Sequence, residues 1–365
     1  HSLLMAQFVA ELNREMPSAG AAISDVYLAP SIARLACEID GRAGAHVHDS
    51  VVEPAYEASD FDYWRCGLLQ FGFYVSRYAF AVAFVYFGAW WCAEADGTLL
   101  GVAERALVFS MASLALLMAM PIAAKWLLIG RWHGERIPLW SVRYFRFWAV
   151  RELITTSPWL LFRGTVLFNV YLRLLGARIG HGAMIMTRSV PLATDLLEIG
   201  EYTVVRKGVH LTGYRAENGY IAVGGIDIGK RVTVGEAAAI DIETSIGDGA
   251  QLGHASALLD GQSIPAGARY HGSPAVETAT DFRYFVNEPS SLVRRCVFAG
   301  VVLALLVVVT ALPFLSLVYW PSASGGSDIA VSISGSGFAG VFWLSMALFW
   351  GCLLYTSPSP RDHLA

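Results

Sequence analysis

The chain has 365 residues, of which 55% are hydrophobic and only 15% are charged, and its mean hydropathy is positive at +0.49. Such an apolar composition excludes a soluble globular protein for the whole chain, and the formal net charge of −4 gives no sign of a nucleic-acid partner. The cysteines have neither metal-ligand nor redox spacing, so no metal site and no disulfide framework are predicted. They are Cys37, Cys66, Cys92, Cys296 and Cys352.

Residues 1–40 have the pattern of helices in a small domain. Ser2 is a good N-cap for a first helix, in which apolar residues recur on one face at helical spacing. These residues are Met5, Val9, Leu12 and Met16. A second amphipathic stretch covers 23–36 and contains Pro30-Ser31-Ile32, followed by Leu35-Ala36.

Both stretches resemble the C-terminal half of a peptidyl carrier domain. In that family a Ser-Leu pair at the start of the second helix carries the cofactor arm, so the resemblance implies 4′-phosphopantetheine bound covalently to Ser2. A serine at a helix N-terminus suits this role, because backbone N–H groups and the helix dipole favour a phosphodiester there. The alternative is that Ser2 only caps its helix.

Four later segments are apolar over the roughly 20 residues that are needed to cross a bilayer. They predict transmembrane helices separated by loops and by a large central region. The predicted helices are 66–93, 106–130, 295–320 and a truncated fourth at 337–351, with linkers at 41–65 and 277–294.

Arg77 interrupts the first of these segments. An ionisable residue inside a membrane span indicates a functional site by default, and Arg77 could pair with a lipid or substrate group. The other interpretation is an arginine that snorkels to the headgroups, or a span that begins later in the chain.

Basic residues predict the orientation of the spans. The loop after the first span holds Glu94, Asp96 and Glu104 against Arg105, whereas arginines follow the second span and precede the third. They are Arg131, Arg136, Arg143, Arg146, Arg151, Arg283, Arg294 and Arg295. Because basic loops stay in the cytoplasm, we expect a multi-pass protein of the bacterial inner (plasma) membrane, with residues 1–40 and the central region on the cytoplasmic side.

Residues 131–176 predict amphipathic helices that do not span the membrane. Basic and aromatic residues alternate in Arg143-Tyr144-Phe145-Arg146-Phe147-Trp148, and a second set runs from Trp159 to Leu175. Helices of this composition lie in the plane of the lipid headgroups. We therefore expect this segment to contact membrane lipid.

Beyond residue 177 apolar residues recur with a period of six residues. Eight of them stand six residues apart, and glycine follows four of the eight. They are Ile228, Val234, Ile240, Ile246, Leu252, Leu258, Ile264 and Tyr270. This period fits a parallel β-helix, in which three hexads form one triangular coil and stacked coils bury what one coil cannot.

The repeat resembles the hexapeptide-repeat, left-handed β-helix superfamily of bacterial acyltransferases over 177–276, with excursions from the coil at 186–198 and 212–227. The second excursion holds the turn-rich Glu217-Asn218-Gly219. The predicted fold class is a multi-domain membrane protein with a partial all-α carrier domain, transmembrane α-helices and a left-handed parallel β-helix.

The acyltransferase resemblance implies a histidine general base between neighbouring coils. His254, at a coil corner, and His210, just before the second excursion, are the predicted catalytic residues; His181 and His271 are further candidates. The alternative for each is a surface or turn histidine without a catalytic role. His271-Gly272-Ser273-Pro274-Ala275 resembles the motif that closes the β-helix in these enzymes.

Residues 352–365 resemble the translation of a sequencing adapter, so we expect the natural chain to end near Gly351. The preceding 351 residues resemble, as a whole, the membrane-anchored terminal region of nonribosomal peptide synthetases of the poly-amino-acid, ε-poly-lysine type. The resemblance implies an aminoacyl substrate, held as a thioester on the carrier, and an adenylation domain upstream of His1 as a partner. A homo-oligomer through the β-helix is also expected.

Three hypotheses about function follow from these resemblances. The main one is a synthetase fragment that presents its aminoacyl thioester to a membrane-bound region for amide-bond formation. The second is a membrane-anchored acyltransferase that acts on a hydroxyl or amine. The third is a β-helix that serves only as a scaffold for other synthetase domains, since a fold alone does not define a function.

Overall fold

A computed structural model describes residues 8–9, 11–12, 14–16, 25–26, 31–44, 56–95, 98–187, 189–283 and 292–323. The chain divides into two compact units, 1–55 and 56–365. In the first unit, helix α1 (Ile32–Gly44) follows Ser31, whose hydroxyl accepts the N–H of Arg34 at 3.4 Å. This helix occupies the place of the predicted last carrier helix and extends past residue 40. Ser2 lies outside the described residues, so the carrier assignment stays a prediction.

Three long helices belong to the second unit: α2 (Asp60–Ala93), α3 (Leu99–Leu128) and α6 (Leu292–Ala323). The first two begin six or seven residues before the predicted spans, and the predicted 41–65 linker is correspondingly shorter. The reason is capping: Ser59 accepts the N–H of Asp62 at 3.2 Å, and Thr98 accepts that of Gly101 at 3.1 Å. The predicted fourth span, 337–351, and residues 352–365 fall outside the described part of the chain.

In the described residues, three helical stretches are long and apolar enough to cross a membrane. They are Asp60–Ala93, Leu100–Leu128 and Val293–Leu312. Their large side chains are mostly not covered by protein; Trp64 is 74% exposed and Leu68 is 71% exposed. Exposed apolar surfaces of this extent are typical of helices that contact a membrane or another protein.

Specific contacts hold the three helices together. The rings of Phe109 on α3 and Phe314 on α6 lie 4.9 Å apart, and the Ser110 hydroxyl donates to the carbonyl oxygen of Val307 at 2.8 Å. Helix α2 approaches at Gly88, where a Cβ atom would lie 2.3 Å from the Phe109 ring. The three helices thus form one packed bundle.

The segment predicted as amphipathic helices contains helix and strand. Strand β1 (Glu135–Pro138) is followed by helix α4 (Val142–Thr155), a 3₁₀ helix (Pro158–Phe162) and helix α5 (Val166–Leu174). The helical prediction is wrong at 135–138, because these residues pair with a strand far along the chain, which local periodicity does not show. On α4, apolar residues such as Phe147 and Val150 are buried and Arg143 is exposed.

Residues 178–277 form a parallel β-helix. Its three faces are the sheets β2-β4-β9-β12-β15 (face 1), β3-β5-β10-β13-β16 (face 2) and β6-β11-β14 (face 3). The strands are β2 (Arg178–Ile179), β3 (Met184–Ile185), β4 (Leu197–Ile199), β5 (Val204–Val205), β6 (His210–Leu211), β7 (Tyr214–Glu217), β8 (Tyr220–Val223), β9 (Ile226–Ile228), β10 (Thr233–Val234), β11 (Ala239–Ile240), β12 (Thr244–Ile246), β13 (Gln251–Leu252), β14 (Ala257–Leu258), β15 (Ser263–Ile264), β16 (Arg269–His271) and β17 (Val276–Glu277).

The strand register confirms the count of six. Ile228 pairs with Ile246, which pairs with Ile264, so one coil takes 18 residues, or three hexads. Seven of the eight repeat residues are between 0% and 2% exposed, and Tyr270, in the last coil, is partly exposed. The parallel β-helix is therefore confirmed, and its left-handed sense stays a prediction.

Both excursions leave the coil where the spacing breaks, but they are shorter than predicted. The first ends before Leu197 and the second before Ile226, because both residues already lie in face 1. The second excursion is the antiparallel hairpin β7–β8, which turns at Asn218 and Gly219 with φ angles of 45° and 80°. Strand β8 also pairs with β1, and this joins the β-helix to the helical region.

One continuous core connects the helices with the β-helix. Helix α5 closes the first coil: the Asn169 side chain donates to the Ala183 carbonyl oxygen at 2.8 Å, and Arg173 donates to that of Ile179 at 2.8 Å. Lys125, near the end of α3, is fully buried, and its Nζ lies 2.7 Å from Asp195 Oδ2 in the first excursion. These hydrogen bonds and this ion pair join the β-helix to the helical region.

Candidate functional site

The corner between faces 2 and 3 carries the predicted base His254. Its ring is half-buried in the fourth coil, and its Nδ1 accepts the backbone N–H of Glu236 from the third coil at 3.0 Å. At the same corner of the second coil, Lys207 Nζ lies 3.7 Å from Glu236 Oε2. Gly253 leaves room for His271 of the next coil, since a Cβ at this position would lie 2.5 Å from His271 Nδ1.

His271 lies on the neighbouring fifth coil beside His254. Its Nδ1 is 3.1 Å from the Ser256 hydroxyl, which also lies 3.2 Å from the His254 carbonyl oxygen and 3.1 Å from the Gly272 nitrogen. Ser256 is only 1% exposed, whereas the His271 ring is exposed. We call His254, Ser256 and His271 the histidine corner.

Residues 278–283, here called the cover segment, fold back over this corner after the β-helix ends. The Phe282 ring centroid lies 5.4 Å from that of His271 and 6.5 Å from that of His254. The Phe282 N–H donates to Gln251 Oε1 at 2.7 Å, and Arg283 donates to the Gly249 carbonyl oxygen at 2.7 Å. Phe282 is therefore held against both imidazoles.

The other predicted catalytic residue, His210, lies elsewhere. It is exposed on face 3 in the second coil, and its partner positions in the third and fourth coils are Ala239 and Ala257. Two coil steps of about 4.8 Å each separate the coil of His210 from that of His254. The structure thus brings His254 together with His271, and not with His210. His181 lies in a turn of the first coil against Tyr202.

Sequence reasoning missed the pairing of His254 with His271 and the part played by Ser256. A signal was available: His271 stands 18 residues after Gly253, which is one full coil, so the repeat itself stacks it beside His254. The cover segment has no such signal, because Phe282 lies beyond the repeat. Its position follows from tertiary contacts alone.

A cluster of charges surrounds Arg215 on the hairpin. Its guanidinium lies 2.7 Å from Glu217, 3.5 Å from Asp241 and 3.0 Å from Asp260. These contacts tie the hairpin to the third and fourth coils. Since all of the ionic groups are paired within the cluster, it serves to fix the hairpin.

The outer side of face 1 has a groove of about 500 Å³, with acidic residues along it. Glu198 and Asp227 are neighbours in the strand register, and Asp248 accepts the backbone N–H of Lys230 at 2.7 Å. Burial raises the pKa of Asp227, and the nearby charges of Glu198 and Asp248 raise it further. The groove lies on a different face from the histidine corner.

Arg77 has partners within the protein. Its guanidinium donates to Thr156 Oγ1 at 3.1 Å and lies 3.7 Å from Glu152 Oε1, at the end of α4. The arginine thus joins α2 to the amphipathic helix. Across the part of the chain that the structure describes, no group of three or more His, Cys, Asp or Glu side chains is arranged to hold a metal ion.

Comparison with known proteins gives one curated relative of interest. No family model matches the chain. The delta-poly-L-ornithine synthetase of Acinetobacter baumannii is 24% identical over 280 residues, which are 75% of this chain and 21% of that protein. The chain therefore spans about a fifth of the length of the curated relative it matches.

Solved structures resemble part of the chain weakly. A hexapeptide-repeat acetyltransferase from Vibrio cholerae is 16% identical, covering 46% of this chain and 92% of its own, with a TM-score of 0.29. A galactoside acetyltransferase in complex with coenzyme A is 17% identical, covering 34% and 78%, with a TM-score of 0.28. The strand register, rather than these low scores, defines the fold of residues 178–277, and the chain is similar in sequence to a poly-amino-acid synthetase.

Proposed function

We propose that this chain is the membrane-anchored β-helix region of a poly-amino-acid synthetase, and that its β-helix is an acyltransferase domain. The reaction would join a thioester-activated amino acid to an amine. The observation that carries the proposal is the 280-residue match to a poly-ornithine synthetase. The match covers 75% of this chain, and the β-helix at 178 to 277 occupies 100 of the 365 positions, so most of the matched residues lie outside it.

Membrane anchoring is the second part of the proposal. It is supported by three long apolar helices with exposed surfaces. Lys125 near the end of α3 contacts the β-helix region, and the Trp126 indole donates to the Leu174 carbonyl oxygen at 2.8 Å. We therefore place the β-helix beside the membrane. Its cytoplasmic side and a homo-oligomer through the β-helix belong to the proposal as well.

The acyl donor is proposed to be held by a carrier domain. This part of the proposal is supported by the sequence motif around Ser2, because Ser2 itself lies outside the described residues. Phosphopantetheine on that serine would supply the thiol that holds the amino acid as a thioester, after loading by an upstream adenylation domain. Intact-mass measurement after incubation with a phosphopantetheinyl transferase and coenzyme A checks the site; an unmodified chain, or modification that persists in Ser2→Ala, would remove the carrier from the proposal.

The transferase activity can be measured on the chain in lipid nanodiscs. The donor is an ornithyl or lysyl thioester of N-acetylcysteamine, the acceptor is the free diamino acid, and mass spectrometry detects the amide product. The double variant His254→Ala/His271→Ala should lose about 10²-fold or more in rate, the usual contribution of acid–base groups. The matched control is His181→Ala, three coils away.

Absence of the amide product with a folded wild-type chain would contradict the acyltransferase proposal. The β-helix would then be a scaffold for synthetase domains that lie elsewhere. Product formation that survives in the double variant would instead move the reaction away from the histidine corner.

A further inference from the structure

The cover segment lies on the histidine corner without being part of the β-helix coils. It follows β17, which pairs with β16 through Val276 and His271. The Thr278 N–H still donates to the Arg269 carbonyl oxygen at 2.8 Å, but within 278–283 the backbone forms neither helix nor strand. The segment is therefore held by individual contacts and not by a ladder of strand hydrogen bonds.

The Phe282 ring fills the space next to the two imidazoles. It is 6% exposed, and its centroid lies 5.4 Å from that of His271 and 6.5 Å from that of His254. The tip of the ring reaches the backbone of the fourth coil, since a Cβ on Gly253 would lie 2.9 Å from Phe282 Cζ. A molecule that is to contact both histidines from this side needs the place that the phenyl ring occupies.

Gln251 holds the cover segment in this position. Its neighbour Leu252 points into the coil, so the glutamine points outward from face 2. Outward residues of the coils can be exposed, as Ser245 and Ser263 on face 1 are, yet Gln251 is only 3% exposed. Its Oε1 accepts the Phe282 N–H at 2.7 Å. The glutamine thus acts as a latch for the residue that covers the histidines.

The remaining contacts of the cover segment are weak. Asp281 lies 3.4 Å from Arg269, with side chains that are 53% and 37% exposed, and exposed ion pairs add little stability. Arg283 donates to the Gly249 carbonyl oxygen at 2.7 Å, also in an exposed position. Of these contacts and the latch, only the Phe282 hydrogen bond is buried. The segment can therefore open locally while the coils stay folded.

Both ends of the cover segment are attached to folded elements. One end continues from β17, and at the other end eight residues connect Arg283 to Leu292, where α6 begins. Helix α6 is itself fixed to α3, through the hydrogen bond from Ser110 to Val307. Eight connecting residues reach about 30 Å at most. An opened segment thus stays near the histidine corner and can close again.

We propose that the cover segment is an autoinhibitory strap: when it is closed, Phe282 holds the space that the acyl chain of a thioester donor needs; this rests on the acyltransferase function proposed above. The donor binds only to the fraction of molecules in which the segment is open. Its apparent affinity is reduced by that fraction. Loosening the closed state should therefore strengthen donor binding, whereas a purely structural Phe282 would give no such gain.

The first test does not depend on activity. Hydrogen exchange of the wild-type chain in nanodiscs, read by peptide mass spectrometry, should be faster in 278–283 than in coil residues 251–258, and slower than in the denatured chain. Gln251→Ala and Phe282→Ala should each speed exchange in 278–283 about tenfold, with Ser263→Ala on face 1 as the unchanged control. Wild-type exchange as fast as in the denatured chain, or as slow as in the coil, would overturn the proposal.

Kinetics with the ornithyl thioester of N-acetylcysteamine test the inhibitory role. In Gln251→Ala the KM for the donor should fall by the same factor by which hydrogen exchange in 278–283 rises, and kcat should be retained, because both quantities follow the open fraction. Phe282→Ala should change KM in the same direction. A KM that stays constant or rises in both variants would overturn the inhibitory role.

The two tests separate the inference from the function on which it rests. Turnover in Phe282→Ala that exceeds that of wild type at low donor concentration would support both. No turnover in any of the folded chains would contradict the acyltransferase function and the inhibitory role with it. The exchange rates would still decide whether the cover segment opens independently of the coils.

Discussion

The β-helix and the long helices use apolar residues in opposite ways. In the β-helix the repeat residues point inward, and Ile228, Val234 and Leu252 are fully buried by the coils themselves. On α2, Trp64 and Leu68 are more than 70% exposed, and the most apolar window of that helix has no buried residues. The β-helix thus buries its apolar residues within itself, whereas the helix leaves them on its surface.

The junction between the two regions combines both situations. Trp132, Phe147 and Tyr171 belong to the same buried cluster as the inner residues of the coils. Lys125 is fully buried there and pairs with the half-buried Asp195, which also accepts the Trp132 backbone N–H at 2.9 Å. If the comparison is right, substitutions should be most costly at the junction and in the coil, and least costly on the exposed helix surfaces.

Asp195→Ala should have the largest effect. It removes the partner of a fully buried lysine, and breaking a buried ion pair costs about 3–5 kcal/mol because the other charge stays uncompensated. Thermal unfolding of the chain in nanodiscs measures the change. The double variant Lys125→Met/Asp195→Leu should recover most of the loss, since it removes both charges. A single variant as stable as wild type would show that Asp195 does not compensate the charge of Lys125.

The variants Leu252→Ala in the β-helix and Leu68→Ala on α2 compare the two regions directly, because both remove the same side chain. Leu252 is 0% exposed, so its truncation leaves a cavity and should lower the free energy of unfolding by about 2–5 kcal/mol. Leu68 is 71% exposed, so the same change should cost less than about 0.5 kcal/mol. Similar losses in the two variants, measured by thermal unfolding, would mean that α2 is covered by protein.

Ser110→Ala should have a smaller effect within the helix bundle. It removes the hydrogen bond from α3 to the Val307 carbonyl oxygen of α6, and such bonds are worth about 0.6–1.7 kcal/mol between membrane helices. The control is Ser76→Ala on α2, whose hydroxyl donates to the Phe73 carbonyl oxygen of its own helix at 2.9 Å. The prediction fails if both variants unfold at the same temperature.

Asp227→Asn should give a small gain in stability that depends on pH. The pKa of Asp227 in the folded chain lies above its ordinary value of 3.8, so the folded state binds more protons than the unfolded state, and stability falls as the pH rises through this range. The variant should therefore unfold at a higher temperature than wild type at neutral pH. The gap should close below about pH 4, while Ser245→Ala on the next strand gives a pH-independent control.

Much of the fold follows from the sequence because its cause is local. The six-residue period defines the inward residues of each coil, and the turn-rich Glu217-Asn218-Gly219 lies where the second excursion reverses direction. The helix starts at Asp60 and Leu99 could have been found from their caps, Ser59 and Thr98, had capping been weighed together with hydropathy.

The contacts that build the junction and the site have no local cause. Lys125 and Asp195 are 70 residues apart, and Arg77 and Glu152 are 75 apart, so each pair depends on how finished elements pack. The histidine corner is intermediate between these cases. The repeat stacks the coil of His271 on that of His254, but only the tertiary structure shows the contact of Ser256 with His271 and Phe282 against both rings.

The number of stacked coils sets the distance from the closed end of the β-helix to the histidine corner. Helix α5 closes the first coil, and the histidine corner belongs to the fourth and fifth coils. Each coil adds about 4.8 Å, so the corner stands roughly 14–19 Å from the closed end. Insertion or deletion of one 18-residue unit would move the corner by one fixed step and leave its internal geometry intact. The β-helix is in this sense a spacer: the number of complete coils in the sequence sets the distance between its closed end and the histidine corner.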